Sequence, residues 1–140
     1  LNTAKGHPNR IEPGKRPMST MHPIMIFDKK GKLYLITGSP GGSQIPAANL
    51  RLVTGIIDFG LHVGDATMLP RIHKDWPYAG IEYETTLSQD NINLLQRIGH
   101  RLDLSDTIGS TQSIQIIDGI NYGFADLRRP NAGVSIQKSN

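Results

Sequence analysis

Two runs of β-forming residues, each turned back on itself across a short glycine-containing link, bracket the helical middle of this chain. In the second run, SIQII (113–117) and INYGFAD (120–126) are separated only by Asp118-Gly119, a dipeptide suited to the positive φ angles of a tight hairpin turn. In the first, IMIFD (24–28) and LYLITG (33–38) flank KKGK, which predicts another hairpin. Both strands of that hairpin are mostly apolar, so both of its faces are expected to be covered. Two hairpins with helices between them predict an α+β layered domain, since a doubly wound parallel sheet needs regular βα alternation.

The stretch from Gln44 to Phe59 has helical spacing, with Ile45, Leu50, Val53, Ile56 and Ile57 expected on one side. Pro46 falls in its first turn, where a missing N–H costs little, and Gly60 would stop it. A shorter helix is expected from about Gly64-Asp65 to just before Pro70, followed by the irregular RIHKDWPYAG (71–80) and a half-buried strand, IEYET (81–85). Ser88 is a good N-cap for a helix bearing Ile92, Leu95 and Ile98, with Gly99 at its end. The 140 residues suffice for one domain with a core. They divide into an extended arm (1–17) punctuated by Gly and Pro, a folded body (18–130) and a polar tail (131–140).

There is no cysteine, which removes disulfide scaffolds, thiolate metal sites and cysteine nucleophiles. The formal charge of +3 comes without a dense cationic run, so nucleic acid is not an expected partner. Lys5, Arg10, Lys15 and Arg16 read as solvated charge on the arm. No apolar run reaches the length of a membrane span. The start LNTAKGHPNR lacks an initiator Met and a signal-peptide core, and is read as a processed product or an excised piece.

Candidate chemistry concentrates in two places. GSPGGS (38–43) joins a strand to a helix, and Gly41 and Gly42 remove side chains where N–H groups emerge at a helix N-terminus. That suits an oxyanion hole, although a plain Gly-rich turn has the same local pattern. A phosphate loop would need a Lys that is absent, and Ser39 lacks the preceding Gly of a nucleophile elbow. Ser19 and Thr20 are adjacent hydroxyls before a strand, able to donate to a carboxylate or simply to form an ST-turn. His62, Asp65, His73 and Asp75 match no compact metal motif, and the neighbouring Trp76 suggests packing, so no metal site is expected. The hydroxyls of 109–113 are expected to bond within the fold, and Asp126 to pair with Arg128 and Arg129.

Taken in order, GKRPMSTMHP, LITGSPGGS, LPRIHKDW, GSTQSIQI and FADLRRPNAG resemble the C-terminal part of the small subunit of the γ-glutamyltranspeptidase family, from about Pro8 to about Gly133. The most specific pieces are P-x-S-[ST]-M and T-G-S-P-G-G-S. The resemblance implies part of an αββα N-terminal nucleophile hydrolase sandwich, made by self-cleavage of a precursor. It implies that Ser19 and Thr20 bind the α-carboxylate of a γ-glutamyl group and that Gly41 and Gly42 form the oxyanion hole. It also implies a threonine nucleophile at the small subunit's N-terminus, which is not in this chain, so the segment alone is expected to be inactive. The PRxHxxW stretch is expected to be a framework loop near the subunit contact.

By the same resemblance the partners are the large subunit of the same precursor, a γ-glutamyl donor such as glutathione, and water or an amino acid as acceptor. No cofactor is implied, and the location is periplasmic or secreted. Thr20 keeps the hydroxyl of a frequent Ser. His22 and Gln44 depart from common residues beside the implied site and bear on acceptor preference, while Leu127 departs within a turn. A related acylase acting on glutaryl or poly-γ-glutamate substrates, and a non-catalytic binding or assembly remnant, are the alternatives.

Overall fold

The computed structural model describes residues 4–16, 21–78 and 80–137. In chain order its elements are β1 (Ile24–Phe27), β2 (Leu33–Gly38), a 3-10 turn (Gly42–Gln44), α1 (Ile45–Ile57), α2 (Val63–Met68), β3 (Ile72–His73), β4 (Gly80–Glu84), α3 (Gln89–Arg97), β5 (Arg101–Ser105), β6 (Gln112–Ile117) and β7 (Ile120–Ala125). Both expected hairpins form, and they join into one antiparallel sheet in the order β1-β2-β6-β7. Asp118 and Gly119 take φ of 50° and 80°, the paired positive angles that keep the turn in step with the strands' twist.

One face of this sheet packs against α1 and α2. Leu35 of β2, Leu52 and Ile56 of α1, and Val63 and Ala66 of α2 form the buried cluster. The buried stripe of α1 is Ile45, Ala48, Asn49, Leu52, Gly55 and Ile56. The expected face was therefore partly wrong, for Leu50 is 63% and Ile57 50% exposed. Small residues mark the true contact: a Cβ on Gly55 would lie 3.2 Å from Ala66 Cβ, so α2 crosses α1 where the side chain is missing. The core is also partly polar. Gln115 accepts the Val63 N–H (2.9 Å) and donates to the Tyr34 hydroxyl (2.9 Å), while the Thr37 and Ser113 hydroxyls pair at 2.8 Å.

The other face is not covered as expected. Met25 and Phe27 of β1 are 64% and 56% exposed. Met25 stands in register with Ile36, and Ile36 with Ile114, giving an apolar row across the sheet. At the far end of that row Val134 from the C-terminal segment lies over Gly123, where a Cβ would come within 2.8 Å of Val134 Cγ1.

The second sheet has the order β3-β4-β5, with β3 antiparallel and β5 parallel to β4. Neither β3, inside the stretch expected to be irregular, nor β5 was anticipated. The parallel pair needs a crossover, which α3 supplies. Ser88 caps α3 by accepting the Asn91 N–H (3.4 Å), and Gly99 ends the turn at φ 94°. No residue of α3 is fully buried.

Candidate active site

The glycine loop sits at the end of β2 and leads into α1. Gly41 has φ 138° and ψ 10°, and Gly42 has φ 58°. An L side chain rarely takes such angles, and φ 138° is open essentially to glycine alone. The two glycines stand at the head of the 3-10 turn, directly ahead of the 13-residue helix that follows it. Neither N–H donates to any acceptor among the described residues. Two unengaged donors at the positive end of a helix are suited to an oxygen that gains negative charge.

Three side chains of the same loop anchor it. Ser39 Oγ accepts the Ser110 N–H (2.8 Å) and donates to the Pro40 carbonyl (2.7 Å), so this hydroxyl is structural. Ser43 Oγ donates to Asp75 (2.7 Å). Gln44 Oε1 accepts the Gly109 N–H (3.2 Å) while its Nε2 donates to Glu82 (2.9 Å). Gly109, at φ 64°, has no room for a side chain: a Cβ there would lie 2.7 Å from Ser39 Oγ and 2.8 Å from Ala48 Cβ. As expected, the hydroxyls of 109–113 are engaged within the fold. His73 Nε2 lies 3.1 Å from Asp75 without the alignment of a hydrogen bond. The carboxylate thus stands between Ser43 and the imidazole, the reverse of the order that activates a serine.

Ser19 and Thr20 lie outside the described residues. Ile24 pairs with Thr37, next to Gly38, so the chain enters β1 at the sheet end from which the glycine loop leaves. The Asn49 amide of α1 reinforces that proximity by donating to the His22 carbonyl (2.7 Å).

Beneath the 108–111 turn is a buried ionic lattice that is only partly legible in the sequence. Arg71, 1% exposed, donates to Asp126 (2.7 Å), to Thr111 Oγ1 (3.1 Å) and to the carbonyls of Thr67 and Ile108 (both 3.0 Å). Arg128 grips Glu84 through two bonds of 2.7 Å and reaches Asp126 at 3.2 Å. The expected pairing of Asp126 with Arg128 is present. No ion pair of Asp126 with Arg129 is found among the described residues, and the shortest charged contact is with Arg71. A charge set within apolar strand-end sequence, as at Glu84 and Asp126, was the available signal for the lattice. The PRxHxxW stretch is framework through Arg71, but Trp76 is 93% exposed rather than packed.

Burial alone would raise the Asp126 pKa, but the Arg128 N–H, the Arg71 charge and the Thr111 N–H together hold it below the usual carboxylate value. Burial pulls Arg71 below its ordinary value despite Asp126, whereas the Glu84 bonds outweigh burial at Arg128 and raise it. Because Asp126 is depressed in the folded state, its contribution to stability is complete above the unfolded carboxylate pKa of about 3.9. It is lost as pH falls through the lower folded value. Acid titration of wild type and Asp126→Asn is therefore expected to converge in stability below that window. Curves that stay parallel would deny Asp126 this role.

His62 caps α2, its Nδ1 accepting the Gly64 N–H at 3.4 Å, and stacks edge-on with Tyr122 at 4.9 Å. Among the described residues no three His, Asp or Glu side chains gather as a metal site, and no helix is long and apolar enough to cross a membrane.

This architecture is that of part of an αββα N-terminal nucleophile hydrolase sandwich. A mutant of Helicobacter pylori gamma-glutamyltranspeptidase superposes with a TM-score of 0.81 at 30% identity, covering 86% of this chain and 67% of that one. A cephalosporin acylase from Bacillus halodurans shares the fold, with a TM-score of 0.85 at 24% identity over 97% of this chain and 26% of that one. The Gamma-glutamyltranspeptidase family model matches residues 1–136, and the chain belongs to that family. It is 43% identical over 124 residues to the glutathione hydrolase proenzyme of Escherichia coli (strain K12), covering 88% of this chain. The chain spans about a fifth (21%) of that relative's length.

Proposed function

We propose that this chain is part of an enzyme that transfers or hydrolyses γ-glutamyl groups through a threonine acyl-enzyme, the threonine lying outside these residues. Its hydroxyl attacks the γ-glutamyl amide carbon and gives up its proton to its own α-amino group. The carbonyl oxygen becomes an oxyanion held by the N–H groups of Gly41 and Gly42. Collapse expels the protonated amine, and water or an amino-acid amine then attacks the ester. Ser19 and Thr20 hold the donor's α-carboxylate. The donor is glutathione or a similar γ-glutamyl compound, the partner is the large subunit of the same precursor, and the complete protein is periplasmic or secreted. Nothing in this sequence of steps requires a metal or an organic cofactor.

The observation that carries this reading is the Gly41-Gly42 pair, with φ of 138° and 58°, presenting unengaged donors ahead of α1. The experiment is donor competition by the complete enzyme between γ-glutamyl and glutaryl p-nitroanilides, with Ser19→Ala as probe. A charge-assisted hydrogen bond contributes about 1.5–3 kcal/mol, so Ser19→Ala is expected to raise KM for the γ-glutamyl donor on the order of 10- to 100-fold. A preference for the glutaryl donor, which keeps that carboxylate but lacks the α-amino group, would favour the acylase reading suggested by the shared fold. The isolated chain is expected to show no turnover; activity abolished by Ser19→Ala would contradict that.

A further inference from the structure

We propose that Gln44 is a positioning residue for the Gly41 and Gly42 amides, tying the turn that carries them to Gly109 on one side and to Glu82 on the other. The inference rests on the reading of those amides as an oxyanion hole.

Gln44 closes the 3-10 turn that begins at Gly42, and its own N–H donates to the Gly41 carbonyl at 3.0 Å. A force on Gln44 is therefore felt at Gly41 through one tight turn. Its side chain uses both ends, Oε1 toward the Gly109 N–H (3.2 Å) and Nε2 toward Glu82 (2.9 Å). A flipped amide would face oxygen to carboxylate and N–H to N–H, so one orientation is selected. The adjacent Ser43 donates to Asp75 at 2.7 Å. Two successive side chains thus reach carboxylates in or beside the three-stranded sheet, while the loop itself continues β2 of the four-stranded one.

The glycine loop is in this way suspended between the two sheets. Gly41 also lies against the 108–111 turn, where a Cβ would approach Gly109 Cα to 3.1 Å. Movement of that turn has no slack to absorb it before it reaches the donors. Small misplacement is costly when donors must meet a transition-state oxygen, so the effect belongs in kcat rather than in donor binding.

The test uses the complete enzyme. Gln44→Met retains side-chain length and removes both hydrogen bonds. It is expected to lower kcat on the order of 10- to 100-fold with KM nearly unchanged, and to weaken a tetrahedral boronate analogue by the same factor. Glu82→Gln, which still offers an oxygen acceptor, is expected to retain most of the activity that Glu82→Ala loses. Hydrogen exchange read by mass spectrometry is expected to quicken over 38–44 and 106–111 in Gln44→Met. Unchanged kcat, a kcat loss matched by fewer titratable active sites, or a loss in KM alone would each overturn the proposal. Absence of γ-glutamyl transfer in the wild-type enzyme would instead sink the reaction, and unaltered exchange in Gln44→Met would then dismiss the suspension as well.

Discussion

Arg71→Met is expected to destabilise the fold by about 3 to 5 kcal/mol, the loss that follows when one member of a buried ion pair is removed. Asp126, 0% exposed, would keep Arg128, main-chain donors and the long Thr111 hydroxyl bond, while the Thr67 and Ile108 carbonyls lose their Arg71 N–H partners. Much of this cost belongs to the stranded carboxylate. The double variant Arg71→Met/Asp126→Asn is accordingly expected to recover part of it, whereas Arg71→Lys recovers little because one ammonium cannot span partners placed for a planar fork. Urea midpoints with unchanged m-values are the measurement. A single-variant loss below about 1 kcal/mol would mean that water reaches the site and that the lattice behaves like a surface pair.

Gly41→Ala is expected to reduce kcat of the complete enzyme on the order of 100- to 1,000-fold, the range found on removing one oxyanion donor. At φ 138° the added methyl group is strained by its own backbone, and it would press on Gly109 Cα from 3.1 Å. The chain can relieve both only by rotating the Gly41-Gly42 peptide, which carries the Gly42 donor away from its direction. Steady-state kinetics with a γ-glutamyl anilide tests this, with active-site titration to correct for misfolded protein. Gly42, with open space around its Cβ position and φ 58°, offers a graded comparison: Gly42→Ala meets the ordinary left-handed penalty without a collision.

The two hairpins and the three helices were legible because turn chemistry and caps act locally. Asp118-Gly119, Pro46, Ser88 and Gly99 do in the fold what their residue types do in isolation. The face of α1 was misjudged because a pattern of large apolar residues undervalues small ones, while the close crossing with α2 uses Gly55 and Ala66. β5 escaped notice because RLDLS is short and carries charges, and its parallel pairing with β4 is settled by the α3 crossover rather than by its own composition. The same reasoning explains the site. Gly41 and Gly42 could be singled out from one hexapeptide, but the partners that hold them, Gln44, Glu82 and Gly109, come from three separate elements. Gln44 drew notice as a departure beside the implied site that bears on acceptor preference, but its bonds to Gly109 and Glu82 could not be read from the sequence. Arg71 and Glu84 were missed for a related reason: a lone charge becomes structural only when distant residues surround it.

The buried Gln115 carries one more implication, for strand pairing. Sliding β6 by a single residue against β2 would turn Ile114 and Ile116 inward, a substitution that hydrophobicity alone would welcome. It would also strip the Val63 N–H and the Tyr34 hydroxyl of their shared amide. The amide therefore acts as an alignment pin, making the slipped sheet polar-frustrated where an all-aliphatic strand would have tolerated either setting.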